Sequence, residues 1–207
     1  MNSKRSLVRR TGALVAAGAA TLVLAACGGG ESSAEHDSHT TKSPSASARA
    51  STGQHNAADI AFAKGMIPHH RQAVEMSDLA PSRTDSAEVK KLVTAIKKAQ
   101  DPEIKTLSGW LTSWGEEVPA EGDTGHSVHG SGGMMTAEEM RQLKDSSGKA
   151  FDTAFMEMMI KHHKGAVGMA RTERADGAYD PAQKMAGEII TSQTAEITEM
   201  NKLLGKN

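Results

Sequence analysis

The chain has a single cysteine, Cys27, among 207 residues, so neither an intrachain disulfide nor a thiolate metal cluster can form. Aromatic residues make up only 3% of it. A core must therefore be aliphatic, with the 12 methionines supplying pliable bulk. Nor is there surplus positive charge: four of the 24 Lys and Arg (Lys4, Arg5, Arg9, Arg10) precede Cys27, where no acid stands, leaving 20 basic against 25 acidic residues beyond it. That balance argues against a nucleic-acid partner. The sequence contains no G-x-S-x-G, P-loop, H-E-x-x-H or CxxC, and the spacing of its Ser, His and Asp residues sets out no triad. Hydrolase and nucleotide chemistry thus have no signature here.

The one extended apolar run, Ala13 to Ala26, is short for a membrane span. With the basic residues before it, it reads as an export signal, and Leu24-Ala25-Ala26-Cys27 resembles a bacterial lipobox. Residues 1–26 are expected to be a lipoprotein signal peptide, cleaved before a Cys27 that carries lipid. Two or more acyl chains would hold the protein on the extracytoplasmic face of the bacterial cell membrane, where one would be marginal. Residues 27–56 add Gly, Ser, Ala, Thr and charge, the composition of a disordered tether. Its His36, His39 and neighbouring His55 read as solvated residues.

Beyond the tether, one stretch occurs twice. Residues 59–76, DIAFAKGMIPHHRQAVEM, align without a gap on 152–169, DTAFMEMMIKHHKGAVGM, at a spacing of 93. Phe62, Met66, Ile67, His69, His70, Val74 and Met76 meet Phe155, Met159, Ile160, His162, His163, Val167 and Met169. At the same spacing Ile96, Gln100, Glu103 and Leu111 meet Ile189, Gln193, Glu196 and Leu204. The unit is therefore a duplicated pair of segments, about 57–114 and 150–207.

Helical periodicity predicts a first helix over 57–79 capped by Asn56, and a second over 86–114 capped by Asp85. Thr136 and Glu139 have capping-box spacing at a short extra helix. A third long helix is expected over 150–175, and a last one from Asp180, as its cap, to Leu204. On the first, Phe62, Met66, His69, Ala73 and Met76 follow 4-3-4-3 spacing and form one stripe. On the second, Gln100 and Glu103 fall on the face of Val89, Leu92, Val93, Ile96, Leu107, Leu111 and Trp114. A carboxylate there costs several kcal/mol unless paired or coordinated. Two such hairpins, joined by a long segment over 115–149, predict an all-α, ferritin-like four-helix bundle with one long crossover across residues 57–207. His69 and His162, each near mid-helix, then meet at one height.

Two accounts of the histidines stand. A His on an apolar stripe is commonly a core residue with a satisfied hydrogen bond, and a dry His–Glu network could absorb all four. Yet four imidazoles converging beside Met66, Met76, Met159 and Met169 form a donor set that packing alone does not need. Imidazole suits copper, zinc, iron and nickel, and thioether favours Cu(I), so copper is expected ahead of zinc or iron. Di-iron sites carry Glu-x-x-His on two helices, where this chain has Met-x-x-His and Gln-x-x-Glu. Gln100, Glu103, Gln193 and Glu196 are placed to support the ligands from behind.

MIPHHRQAVEMS and MIKHHKGAVGMA, together with GMM at 133–135 and the QxxEI pairs, resemble the domain-of-unknown-function family numbered 305 over about 57–204. Ser77 replaces the usual Ala. The resemblance implies a ferritin-like bundle, exported and often lipid-anchored, with copper held at Met66, His69, His70, Met76, Met159, His162, His163 and Met169. The expected function is copper binding without turnover, for sequestration, tolerance or transfer. A ferritin-like redox enzyme with a dinuclear metal site and a metal-free envelope interaction module are the competing readings.

Overall fold

The computed structural model describes residues 54–122 and 132–206. The expected signal peptide, Cys27, almost all of the expected tether, and His126 and His129 of the Gly-rich segment joining the two hairpins lie outside the described residues. Those described hold four long helices, α1 (Ala57–Leu79), α2 (Ala87–Ser113), α4 (Gly148–Asp176) and α5 (Asp180–Leu203), and the short α3 (Ala137–Asp145), with no strand among them.

Local chemistry sets the helix ends. Asn56 accepts from the backbone N–H of Ala58 and Asp59 while Asp59 accepts from that of Asn56, closing a capping box. Its amide also donates to Asp176 O across the bundle end. Asn56→Ala is expected to lower stability by about 1 kcal/mol, read from the urea midpoint. At α2 the cap is Ser86, whose hydroxyl takes the Val89 N–H. Asp85 stands one residue too early and is almost fully exposed. Likewise Tyr179, with extended backbone, is the residue before α5, and Asp180 is its first helical residue. Pro68 and Pro102 lie within helices that continue through them.

α1 packs on α2, α4 on α5, and the hairpins join through α1 and α4, with α3 against both of these. Within the first hairpin Lys64 pairs with Glu116 at 2.6 Å, and Lys97 with Asp78, so α1 and α2 are antiparallel. Gly148 N–H donates to Arg83 O at 2.6 Å, while Ala178 and Tyr179 donate to Asp59. α4 therefore starts where α1 ends, the end of α2 and the start of α4 lie at opposite ends of the bundle, and the order is the ferritin-like one.

Small and sulfur-bearing side chains fill the core, as the scarcity of rings requires. They form two clusters: Phe62, Ala63, Met66, Ile67, Leu107 and Leu111 with Ala170 and Ile189 at one end, and Met76, Ile96, Leu143, Phe155, Met159 and Met200 with their neighbours at the other. The layer between them holds the four histidines. Trp114, expected on the buried face of α2, is only half-buried because it stacks on His55 and meets Tyr179 at the open end of the bundle.

Candidate metal centre

All four histidines are buried, with at most 1% of their surface exposed. The antiparallel α1 and α4 bring His69 and His162 face to face, ring centroids 3.7 Å apart and planes inclined by 41°. His163 stands next to this pair, 6.3 Å from His162. His70 and His163 point outward to the flanking helices and their Nε2–H groups donate to Glu103 and Glu196, each at 2.7 Å. The two glutamates on the apolar faces of α2 and α5 are thereby accounted for. These bonds also orient the two rings, leaving Nδ1 of each as the nitrogen that the glutamate does not engage.

His69 Nε2–H donates to Gly132 O at 2.9 Å. In consequence all four rings keep a buried Nδ1 with no protein partner, and His162 has none at Nε2 either. Burial, reinforced by the neighbouring His70, lowers His69 to about 3. Burial, with His69 and His163 beside it, also holds His162 well below the ordinary imidazole value. Both rings are neutral in any physiological medium, the form that binds a metal.

The thioethers divide two and two about this layer. Met66 and Met169 pack with the cluster at the α1 N-terminus, Met76 and Met159 with the opposite one. Met66, Met76 and Met159 are fully buried, whereas half-buried Met169 lies against α1, close enough that a Cβ on Gly65 would stand 3.4 Å from its sulfur. Gln100 and Gln193 are buried near the glutamates of their helices, with both polar atoms of Gln100 and Oε1 of Gln193 unpartnered. Among the described residues no three His, Cys, Asp or Glu side chains gather as a ready-made site. A coordination shell around the stacked pair must therefore draw on thioether or on a rearranged ring.

Three contributors are not among the residues that the sequence analysis singles out. Buried Gln72 binds the backbone of Met135 twice, Nε2–H to its O at 2.9 Å and Oε1 from its N–H at 2.7 Å. Gly132 caps His69. Buried Glu173 lies beside Asp59 at the far end of α4. Its position was legible, since it continues the stripe of Phe155, Met159, His162, Ala166 and Met169; the other two depend on a contact between distant segments.

Several solved structures are similar to this chain over most of their length. A DUF305 protein of Streptomyces coelicolor, described as secreted, is 32% identical, with 72% of this chain and 93% of that one covered and a TM-score of 0.65. A DUF305 fragment from Deinococcus radiodurans, 24% identical over 73% and 98%, has a TM-score of 0.64. CopM is similar in its Cu(II)-bound form at 33% identity over 70% and 94% with a TM-score of 0.61, and in its Cu(I)-bound form at 30% and 0.59. Silver-bound forms of CopM are similar as well. No curated protein matches. The family model "Domain of unknown function (DUF305)" matches residues 59–204, and the chain belongs to that family.

Proposed function

We propose that the protein binds copper outside the cytoplasm, anchored to the membrane by lipid on Cys27, and that it sequesters the ion or hands it on without turnover. The stacked, neutral His69–His162 pair carries this reading: it buries three ring nitrogens without partners, an arrangement that costs stability unless something binds there. The His–Glu bonds at His70 and His163 are compatible with it, because a carboxylate behind a ligating imidazole orients the ring and raises its basicity. His69, His70, His162 and His163, with Met66, Met76, Met159 and Met169, are the proposed donors, and Gln100 and Gln193 support them with Glu103 and Glu196. The copper- and silver-bound states of the related CopM point the same way.

Soft chemistry favours Cu(I). The glutamates are engaged by histidines, no thiolate is at hand, and the remaining buried donors are imidazole and thioether, the combination that distinguishes Cu(I) from zinc or iron. In a titration with Cu(I), Cu(II), Zn(II) and Fe(II) against competing chelators, Cu(I) is expected to bind tightest and iron to be lost to the chelator. Copper binding no stronger than that of a scattered surface histidine would leave the metal-free reading, in which the layer is a polar network.

A further inference from the structure

The segment Gly132–Met135 crosses the α1–α4 seam directly over the stacked histidines. It lies so close to α4 that a Cβ on Gly165 would fall 1.5 Å from Gly132 O, and one on Gly133, whose φ is +83°, would fall 2.5 Å from Lys161 O. Only glycine permits that backbone contact. On the α1 side the segment is fastened twice, by Gly132 O on His69 Nε2 and by the paired bonds of Gln72 to Met135. Just beyond it, α3 is held by Lys161–Glu139 and Lys144–Glu75, at 2.7 and 2.9 Å. An open hollow of about 710 Å³, bordered by Gly132, Gly165, Gly168, Lys164 and Met169, runs alongside.

The repeat shows what is particular about this seam. Gln72 and Gly165 occupy the same position, three residues after the first histidine of each copy. One copy supplies the pin and the other the seat. As a result the histidines, equivalent in sequence, differ in state: His69 is tied to the segment, while neither nitrogen of His162 has a partner.

We propose that Gly132–Met135 is a latch that controls access from solvent to His69 and His162, with Gln72 as its pin; for copper as the ion admitted, this rests on the function proposed above. In the closed state the latch covers the pair and engages His69. Opening breaks the bonds of Gln72 and the His69–Gly132 bond together and joins the pair to the hollow beside Met169. A site that binds only when open has its apparent affinity reduced by the open fraction.

Two variants open the latch by different means. Gln72→Ala removes two hydrogen bonds and so raises the open fraction roughly 10-fold. Gly165→Ala leaves every polar group in place and displaces Gly132 sterically. The first readout needs no copper: carbethoxylation of His69 and His162 in the apo protein, followed by tandem mass spectrometry, with hydrogen exchange at the Met135 amide reporting opening. Both variants are expected to speed modification of both rings about 10-fold while His70 and His163, held by their glutamates, change little. Unchanged modification in variants whose Met135 amide exchanges faster overturns the latch. Association of Cu(I) is expected to accelerate in parallel. If histidine access rises while neither wild type nor variants bind copper, the copper reading fails and the latch stands.

Discussion

The chain carrying His69→Leu and His162→Leu is expected to lose Cu(I) affinity by more than about 100-fold, since even removing the partner behind a ligand costs 10–100-fold, and yet to be as stable as the wild type or more so. Three ring nitrogens of this pair are buried without a partner, and each unsatisfied group of that kind costs about 1–3 kcal/mol. Leucine fills much of the same volume and joins the two apolar clusters on either side. Against this stands the loss of one bond, His69 to Gly132, which leaves a carbonyl to find water. Chelator competition and urea unfolding of the metal-free chain read the two effects separately. A stability gain with loss of copper marks a site kept for function at the expense of packing; a loss of several kcal/mol with copper binding intact marks the histidines as structural.

Glu173→Gln is expected to raise stability at pH 9 by about 3–5 kcal/mol while changing little at pH 4.5. Asp59 and Glu173 form a buried carboxyl pair where the start of α1 meets the turn after α4. Burial raises Asp59, but the backbone N–H groups of Asn56, Tyr179 and Ala178 outweigh that and hold it below the ordinary value. Burial, with Asp59 beside it, then lifts Glu173 to about 8. Protonated Glu173 donates to Asp59, whereas ionised Glu173 has no partner for either oxygen. A folded pKa above the ordinary 4.5 means that this group's contribution is fully present below about 4.5 and is lost as pH rises through about 8. Each unit is worth about 1.4 kcal/mol. Asp59 acts in the opposite sense, losing its contribution only as pH falls below the ordinary 3.8. Glutamine keeps a donor toward Asp59 and cannot ionise, so from about pH 7.5 to 9, where His69 and His162 are neutral in the folded and unfolded chain alike, its stability should be flat while the wild type declines. A slope that persists in the variant would assign the titration to another group.

Much of the architecture was legible because it depends on local pattern. The stripe through Phe62, Met66, His69 and Met76 places α1 and its buried face, and the 93-residue spacing, with each histidine near mid-helix, places His69 opposite His162. Glu103 reads as a carboxylate in need of a partner, and His70 provides it; His163 does the same for Glu196. What could not be read depends on contacts between segments of different kinds. The Gly-rich crossing has no periodicity, so nothing marked Gly132 as the acceptor for His69. Gln72 resembles any polar residue at a helix surface until Met135 is laid on it. The misplaced caps, Asp85 for Ser86 and Asp180 for Tyr179, are shifts of one residue: Asp85 and Ser86 are both capping residue types and stand side by side, and Tyr179 caps with no side-chain bond to mark it.

The division of labour between Gln72 and Gly165 bears on how such a protein can be assembled. The two residues are related by the repeat and the latch touches both, so it lies across the axis about which the copies exchange. A homodimer of single hairpins would bring two identical crossing segments to one place, with either two pins or two seats, and both segments could not lie there at once. Fusion into one chain leaves a single crossing segment and lets the paired positions diverge. The covered seam is thus a property of the tandem chain that a symmetric ancestor of two separate hairpins could not have possessed.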